Sequence, residues 1–216
     1  MRAPRAGIAR EGLPFIGLTA FASLIFALVD LRPPALVFLC LATFCLYFFR
    51  DPERVVPGAP GLAVCPADGR VVAVRPRPDP FSGRELVCVS IFMNVFSVHV
   101  NRSPVAARVK ALAYHPGLFL NASLDKASLN NERCACLLED ERGEDWTVVQ
   151  IAGLIARRIV FRAEEGDLLG RGERLGLIKF GSRLDVYLPP DWTPAVAPGE
   201  RTLAGQTILA RAPRAS

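Results

Sequence analysis

The pattern of apolar and polar positions divides this chain at about residue 50. Residues 12–29 include no charge, and after Asp30-Leu31-Arg32-Pro33-Pro34 a second uncharged stretch runs to Phe49. Each lies at the short end of what crosses a hydrocarbon core of ~30 Å as a helix, which predicts two short spans or one re-entrant hairpin. Beyond Arg50 the pattern changes to brief apolar runs between Gly, Pro and Asp, the mark of strands and turns. It predicts strands at 70–74, 86–92, 95–101, 106–114, 147–151, 155–161, 175–180, 184–188 and 207–210, with one helical stretch at 118–129. The expected organisation is an N-terminal hydrophobic helical membrane anchor, residues 1–50, and a mainly β domain, residues 51–216, built as a barrel or sandwich.

Composition narrows the partners. The 216 residues allow one domain with a real core, and the 51% hydrophobic content exceeds what a soluble domain needs, with the surplus in the anchor. A net charge of +5 suits nucleic acid or an anionic membrane surface. No basic run is interleaved with aromatics, so nucleic acid is set aside as a partner. Arg2, Arg5 and Arg10 precede the first apolar stretch and Arg50 and Arg54 follow the second, whereas the connector holds Arg32 beside Asp30. The positive-inside rule then puts both ends, and the β domain, on the cytoplasmic side of a cell (inner) membrane. A second apolar stretch after the first argues against a cleaved signal peptide.

Six cysteines are scattered through apolar segments and read as small buried hydrophobes in a reducing compartment. Cys134-Ala135-Cys136 lacks the second pair that a zinc site needs, so no metal is expected. Segments 165–176 and 198–209 share a pattern of Gly-acid turn, apolar step, second Gly turn and strand. They resemble the repeated half-motifs of lipoyl and biotinyl carrier domains, which implies a barrel-sandwich core. Asp125-Lys126-Ala127 matches the tripeptide around a lipoylated lysine, but its polar flanks read as a loop or short helix.

Candidate chemistry lies at three places. The runs Leu177-Ile178-Lys179-Phe180 and Leu184-Asp185-Val186-Tyr187-Leu188 meet at Gly181-Ser182. With no Cβ on Gly181, its carbonyl carbon is open to the neighbouring hydroxyl, and glycine tolerates strained backbone. The ordinary reading of such a pair is a turn or bulge. In Phe96-Ser97-Val98-His99-Val100-Asn101, strand alternation sets Ser97, His99 and Asn101 on one side and the apolar residues on the other. His99 and His115 are the only histidines, so a histidine base is one of these two. His115 precedes the turn at Pro116-Gly117 and reads as structural or substrate-side. Asp68, in Ala67-Asp68-Gly69, has the ordinary role of shaping a β-turn.

Taken together, Gly181-Ser182, Pro66-Ala67-Asp68-Gly69-Arg70-Val71, Phe96-Ser97-Val98-His99-Val100-Asn101-Arg102-Ser103-Pro104 and Tyr114-His115-Pro116-Gly117-Leu118-Phe119-Leu120-Asn121-Ala122 resemble phosphatidylserine decarboxylase proenzymes. The likeness is to the short bacterial and archaeal type and runs in order from about Arg50 to the C-terminus. It implies self-cleavage between Gly181 and Ser182, with Asp68, His99 and Ser182 as the catalytic set. The products would be a large subunit (1–181) and a small one (182–216) that begins with a covalently bound pyruvoyl group derived from Ser182. That group would form a Schiff base with the serine headgroup of a phospholipid, release CO2 and leave phosphatidylethanolamine, with neither pyridoxal phosphate nor metal. Arg183 stands where longer members carry a second small hydroxyl residue, and it, His115 and Arg50, with Arg54, are candidates for contacting the headgroup. The same chemistry on another serine-headed lipid, such as an archaeal ether lipid, and a non-enzymatic membrane adaptor are the alternatives. A higher homo-oligomer is left open.

Overall fold

The structure, a computed structural model, describes residues 7–117, 131–153, 159–178 and 181–213. The chain forms two compact units, Met1–Glu53 and Arg54–Ser216. In the first, a 3-10 turn (Arg10–Gly12) leads into α1 (Leu13–Leu28), and α2 (Arg32–Phe48) follows a short connector. Leu18, Phe21, Leu28, Leu36 and Leu39 are all exposed, so neither helix presents a polar face to water. The two pair as a hairpin: Phe26 stacks on Phe38 at 5.4 Å, and Ser23 Oγ donates to the Ala35 carbonyl at 2.9 Å. Ile8 bridges to Arg50 at the open end, which brings the two ends of the hairpin together. At 1.5 Å per residue, α1 and α2 are about 24 and 26 Å long. With its 3-10 turn, the Arg10–Leu28 helix is long and apolar enough to cross a membrane, and α2 is shorter.

The second unit is built from strands. In chain order they are β1 (Leu62–Val64), β2 (Gly69–Pro78), β3 (Glu85–Met93), β4 (Val100–Arg102), β5 (Ala107–His115), β6 (Arg133–Asp140) and β7 (Asp145–Ala152). The rest are β8 (Ile159–Phe161), β9 (Leu168–Leu169), β10 (Arg174–Ile178), β11 (Ser182–Tyr187), β12 (Thr193–Pro194), β13 (Arg201–Thr202) and β14 (Ile208–Arg211). An eight-stranded antiparallel sheet, ordered β13-β2-β3-β11-β7-β6-β5-β9, curls into a half-barrel. Two three-stranded sheets, β1-β14-β12 and β4-β10-β8, complete the fold. One face of the large sheet carries the main core, with Val89, Ile91, Leu138, Trp146, Val148, Leu184 and Val186. The other carries a smaller cluster of Cys88, Ala135, Val149, Ile151 and Tyr187. The fold is therefore mainly β, in the barrel-sandwich arrangement that the repeat implied.

That repeat has a structural counterpart. In one copy Gly166 N–H donates to Val109 O and Val109 N–H to Asp167 O, at 2.8 and 2.9 Å. In the other, Gly199 N–H donates to Val71 O and Val71 N–H to Glu200 O, at the same two distances. The later glycines match too, Gly172 N–H on Ser103 O and Gly205 N–H on Cys65 O. A bulge follows Val71 in β2 and Val109 in β5. The duplication thus includes the segments around Pro66 and Pro104, and the two copies close opposite edges of the large sheet through β9 and β13.

Most predicted strands occur, several of them longer than the pattern indicated, while residues 155–158 and 179–180 of two of them lie outside the described residues. The exception is 95–101, of which only Val100 and Asn101 lie in a strand. Asn94 Oδ1 accepts the Phe96 N–H at 2.9 Å and bends the chain into a turn, a bond that competes with extension. β6 and the short β1, β9, β12 and β13 are further strands. The helical stretch at 118–129, with Asp125-Lys126-Ala127, lies outside the described residues.

Candidate active site

Six strands have an end at one rim of the large sheet: β3, β5 and β7 finish there, while β2, β6 and β11 begin. Ser182 opens β11, directly opposite Met93 on β3 and Ala152 on β7. Its side chain points to the main-core face with Leu184 and Val186 and is fully buried. Gly181 precedes it at φ +67°, and a Cβ built there meets nothing within 4 Å. The backbone angle, rather than space, is what calls for glycine at this position.

His99 comes to this junction from the segment leading into β4. It is buried, and its two ring nitrogens have different partners. Nδ1 lies 3.0 Å from the Ser97 carbonyl, which only accepts, so Nδ1 carries the proton. Nε2 is then an acceptor, and it takes the Gly181 N–H at 3.3 Å. The basic nitrogen therefore faces the Gly181-Ser182 junction. Ser182 Oγ instead contacts Met93 Sδ at 4.0 Å.

The same sulfur receives a second donor, Asn101 Nδ2, at 3.4 Å. Asn101 Oδ1 in turn accepts Gln150 Nε2 at 2.7 Å. Ser182, Met93, Asn101 and Gln150 thus form a chain of polar contacts within an otherwise apolar face. Thiols near this face do not compete as nucleophiles. Burial pushes Cys65 and Cys136 up to about 12 and Cys134 to about 11, so all three are neutral at physiological pH.

The other candidate residues have different surroundings. Asp68 lies just before β2, and its carboxylate accepts Arg54 Nη2 and the Ala204 N–H, each at 2.7 Å. The bond at His99 Nδ1 goes to the Ser97 carbonyl, which fixes the tautomer. Arg54 also donates to Gln206 at 3.1 Å, so this guanidinium braces the turn between β13 and β14. Arg183 also departs from expectation. One residue along β11 from Ser182, it points to the opposite face, where it is buried and bonds Asp185 Oδ1 and Oδ2 at 2.6 and 3.1 Å and Ser90 Oγ at 2.7 Å. Strand alternation removes it from the Ser182 side.

His115 belongs to the cross-strand row of Arg133, Ile151 and Arg183, so it too is on the face opposite Ser182. Arg50 belongs to the helical unit, where its guanidinium sits 3.8 Å over the Tyr47 ring and donates to the Tyr47 carbonyl. Among the described residues, no group of three His, Cys, Asp or Glu side chains is placed to hold a metal ion. Sequence reasoning missed Met93, Gln150 and the role of the Ser97 carbonyl. Gln150, an amide within the apolar run 147–151, was the visible signal.

A buried serine after a left-handed glycine, with a neutral imidazole nitrogen directed at their junction, defines a candidate for chemistry on the chain's own peptide bond. The family profile for phosphatidylserine decarboxylase matches residues 41–210. A phosphatidylserine decarboxylase proenzyme of Oleidesulfovibrio alaskensis is 62% identical over 203 residues, covering 94% of this chain and 93% of the relative. One from Nitratidesulfovibrio vulgaris is 59% identical, covering 98% and 97%, and one from Burkholderia cenocepacia is 49% identical, covering 97% and 98%. The chain belongs to the phosphatidylserine decarboxylase family.

Proposed function

We propose that this chain is a proenzyme that cuts itself between Gly181 and Ser182, and that the product decarboxylates phosphatidylserine at a membrane surface. The observation that carries the reading is the acceptor nitrogen of His99 directed at that junction. His99 Nε2 takes the Ser182 hydroxyl proton, Oγ bonds to the Gly181 carbonyl carbon, and the carbon–nitrogen bond breaks to leave an ester and an amine. Loss of the Ser182 Cα proton expels Oγ with the Gly181 carboxylate. Water then replaces the nitrogen, which departs as ammonia, and residue 182 becomes a pyruvoyl group. At rest Nε2 holds the Gly181 N–H and Ser182 Oγ faces Met93, so a rotation of the Ser182 side chain must precede the first step.

Ser182 stands among Met93, Ala152 and Leu184, uncharged neighbours that suit an uncharged ketone. Its carbonyl supplies an electron acceptor for the bond pair left by a departing carboxylate, the task pyridoxal phosphate performs elsewhere. His99, whose Nε2 faces the junction, would return a proton to the product. The apolar hairpin of α1 and α2 would hold the β domain at the bilayer from which the lipid headgroup is taken.

Denaturing mass spectrometry of protein purified from membranes tests the reading. The expected result is a 182–216 fragment lighter by one ammonia than its serine form. An intact chain from properly inserted protein would overturn it.

A further inference from the structure

Among the described residues, two buried side-chain oxygens meet no donor, Asp79 Oδ1 and Gln150 Oε1. Asp79 follows β2, at the rim away from Ser182. Gln150 is fully buried on the Ser182 face, where its row on β7 is that of Leu184, and Ala152 two residues on is opposite Ser182. Such diagonal neighbours on one face lie about 7–8 Å apart at Cα, within reach of a long side chain. Its nitrogen end is held by Asn101, and Asn101 is oriented by Met93, since the sulfur takes a donor and so turns Nδ2 rather than Oδ1 toward it. The carboxamide is therefore anchored at one end, and the other end is an acceptor with nothing to accept. A buried acceptor left in this state is costly, and it gains whenever a donor arrives beside it.

Self-cleavage produces such a donor. The peptide nitrogen of Ser182 has one hydrogen before the shift and becomes a free amine after it. That amine is also the nucleophile that returns the ester to the peptide if it stays beside the Gly181 carbonyl carbon. We propose that Gln150, anchored by Asn101, is a positioning residue whose carbonyl oxygen receives the new amine at residue 182. The bond draws the amine away from the ester and orients the Cα–H for removal, committing the ester to the elimination that ends in ammonia loss. This inference rests on the self-cleavage reading above. It assigns a role to an amide that is otherwise an unexplained polar group in an apolar face.

The test is the fate of the ester in the full-length Gln150→Met variant, which keeps side-chain length and removes the acceptor. Fragments are weighed after denaturation, with and without hydroxylamine, which cleaves esters and leaves an N-terminal serine on 182–216. The expected result is about a tenfold fall in the rate of forming the ammonia-deficient fragment, the upper end of what one lost hydrogen bond is worth, with hydroxylamine releasing the serine form. Asn101→Ala, which lets the carboxamide turn, is expected to shift the products the same way by a smaller factor, and it decides the matter if Q150M does not fold. Unchanged yield and rate of the ammonia-deficient fragment would overturn the proposal, as it would if a water already satisfied Gln150. A folded Q150M chain that yields no serine form even with hydroxylamine present throughout maturation, where it traps the ester before the amine can return, would overturn it too, because Gln150 would then act before the ester. If the unaltered protein yields no 182–216 fragment, the self-cleavage reading itself fails.

Discussion

At His99 one ring nitrogen donates and the other accepts, and this division sets what substitutions there and at the junction should do. His99→Ala removes the base and is expected to leave the precursor uncut, read as a single band after denaturation. Gly181→Ala meets no clash but holds an alanine at φ +67°, so it should cost roughly 1–2 kcal/mol in stability and slow cleavage, both measurable on one preparation. Arg183 yields a different prediction, because its guanidinium is spent on Asp185 and Ser90. Arg183→Ala strands a buried carboxylate, with Arg77 at 3.6 Å as its remaining cation, and should cost about 3–5 kcal/mol in thermal or denaturant unfolding. Gly181, Ser182 and His99 were singled out in the sequence through the family resemblance, because by type alone the pair reads as a turn and the base as either histidine. Met93, Asn101 and Gln150 were not, because their contacts join β3, β4 and β7, whose adjacency no local pattern states. Arg183 was misplaced for the same reason: the face a strand residue takes depends on which face its neighbours bury.

Among the elements, β11 has a fully buried residue at nearly every position, polar or not, so alternation is invisible along it. β6 was missed because Cys134-Ala135-Cys136-Leu137-Leu138 lacks alternation, being covered on both faces. Its thiols, with Cys88 on β3, support a pH prediction. Burial raises Cys134 to about 11 and Cys88 and Cys136 to about 12, from 9.0, so folding favours their protonated forms. The stability this contributes is full below pH 9 and is lost as pH climbs toward 12, where the unfolded chain gains by ionising. The unfolding temperature should accordingly fall above pH 9, and native-state alkylation at pH 8 should spare these cysteines. The predicted strand at 95–101 failed because a side-chain bond from Asn94 competes with extension, and the turn it makes leads into the segment that brings His99 to Gly181.

For the molecule as a whole, the proposed scission before Ser182 would cut the chain at the start of a central strand. β11 pairs along its full length with β3 on one side and β7 on the other, while β13 and β14 pair with β2 and β1. The 182–216 fragment should therefore co-elute with the large subunit in native gel filtration and separate only in denaturant. Separation under native conditions would contradict the topology. The sequence by itself determined the change of pattern near residue 50, the β character beyond it and the repeated Gly turns, since each is written in local composition and spacing, whereas Gly181-Ser182 stood out only through the family resemblance. Only the tertiary structure decided which residues meet: Ser97 on His99 Nδ1, Arg54 on Asp68, Arg183 turned from the site and an amide chain turned into it. Those pairings depend on strand order and register, which arise from burying two sheet faces at once and are encoded in no single stretch of the chain.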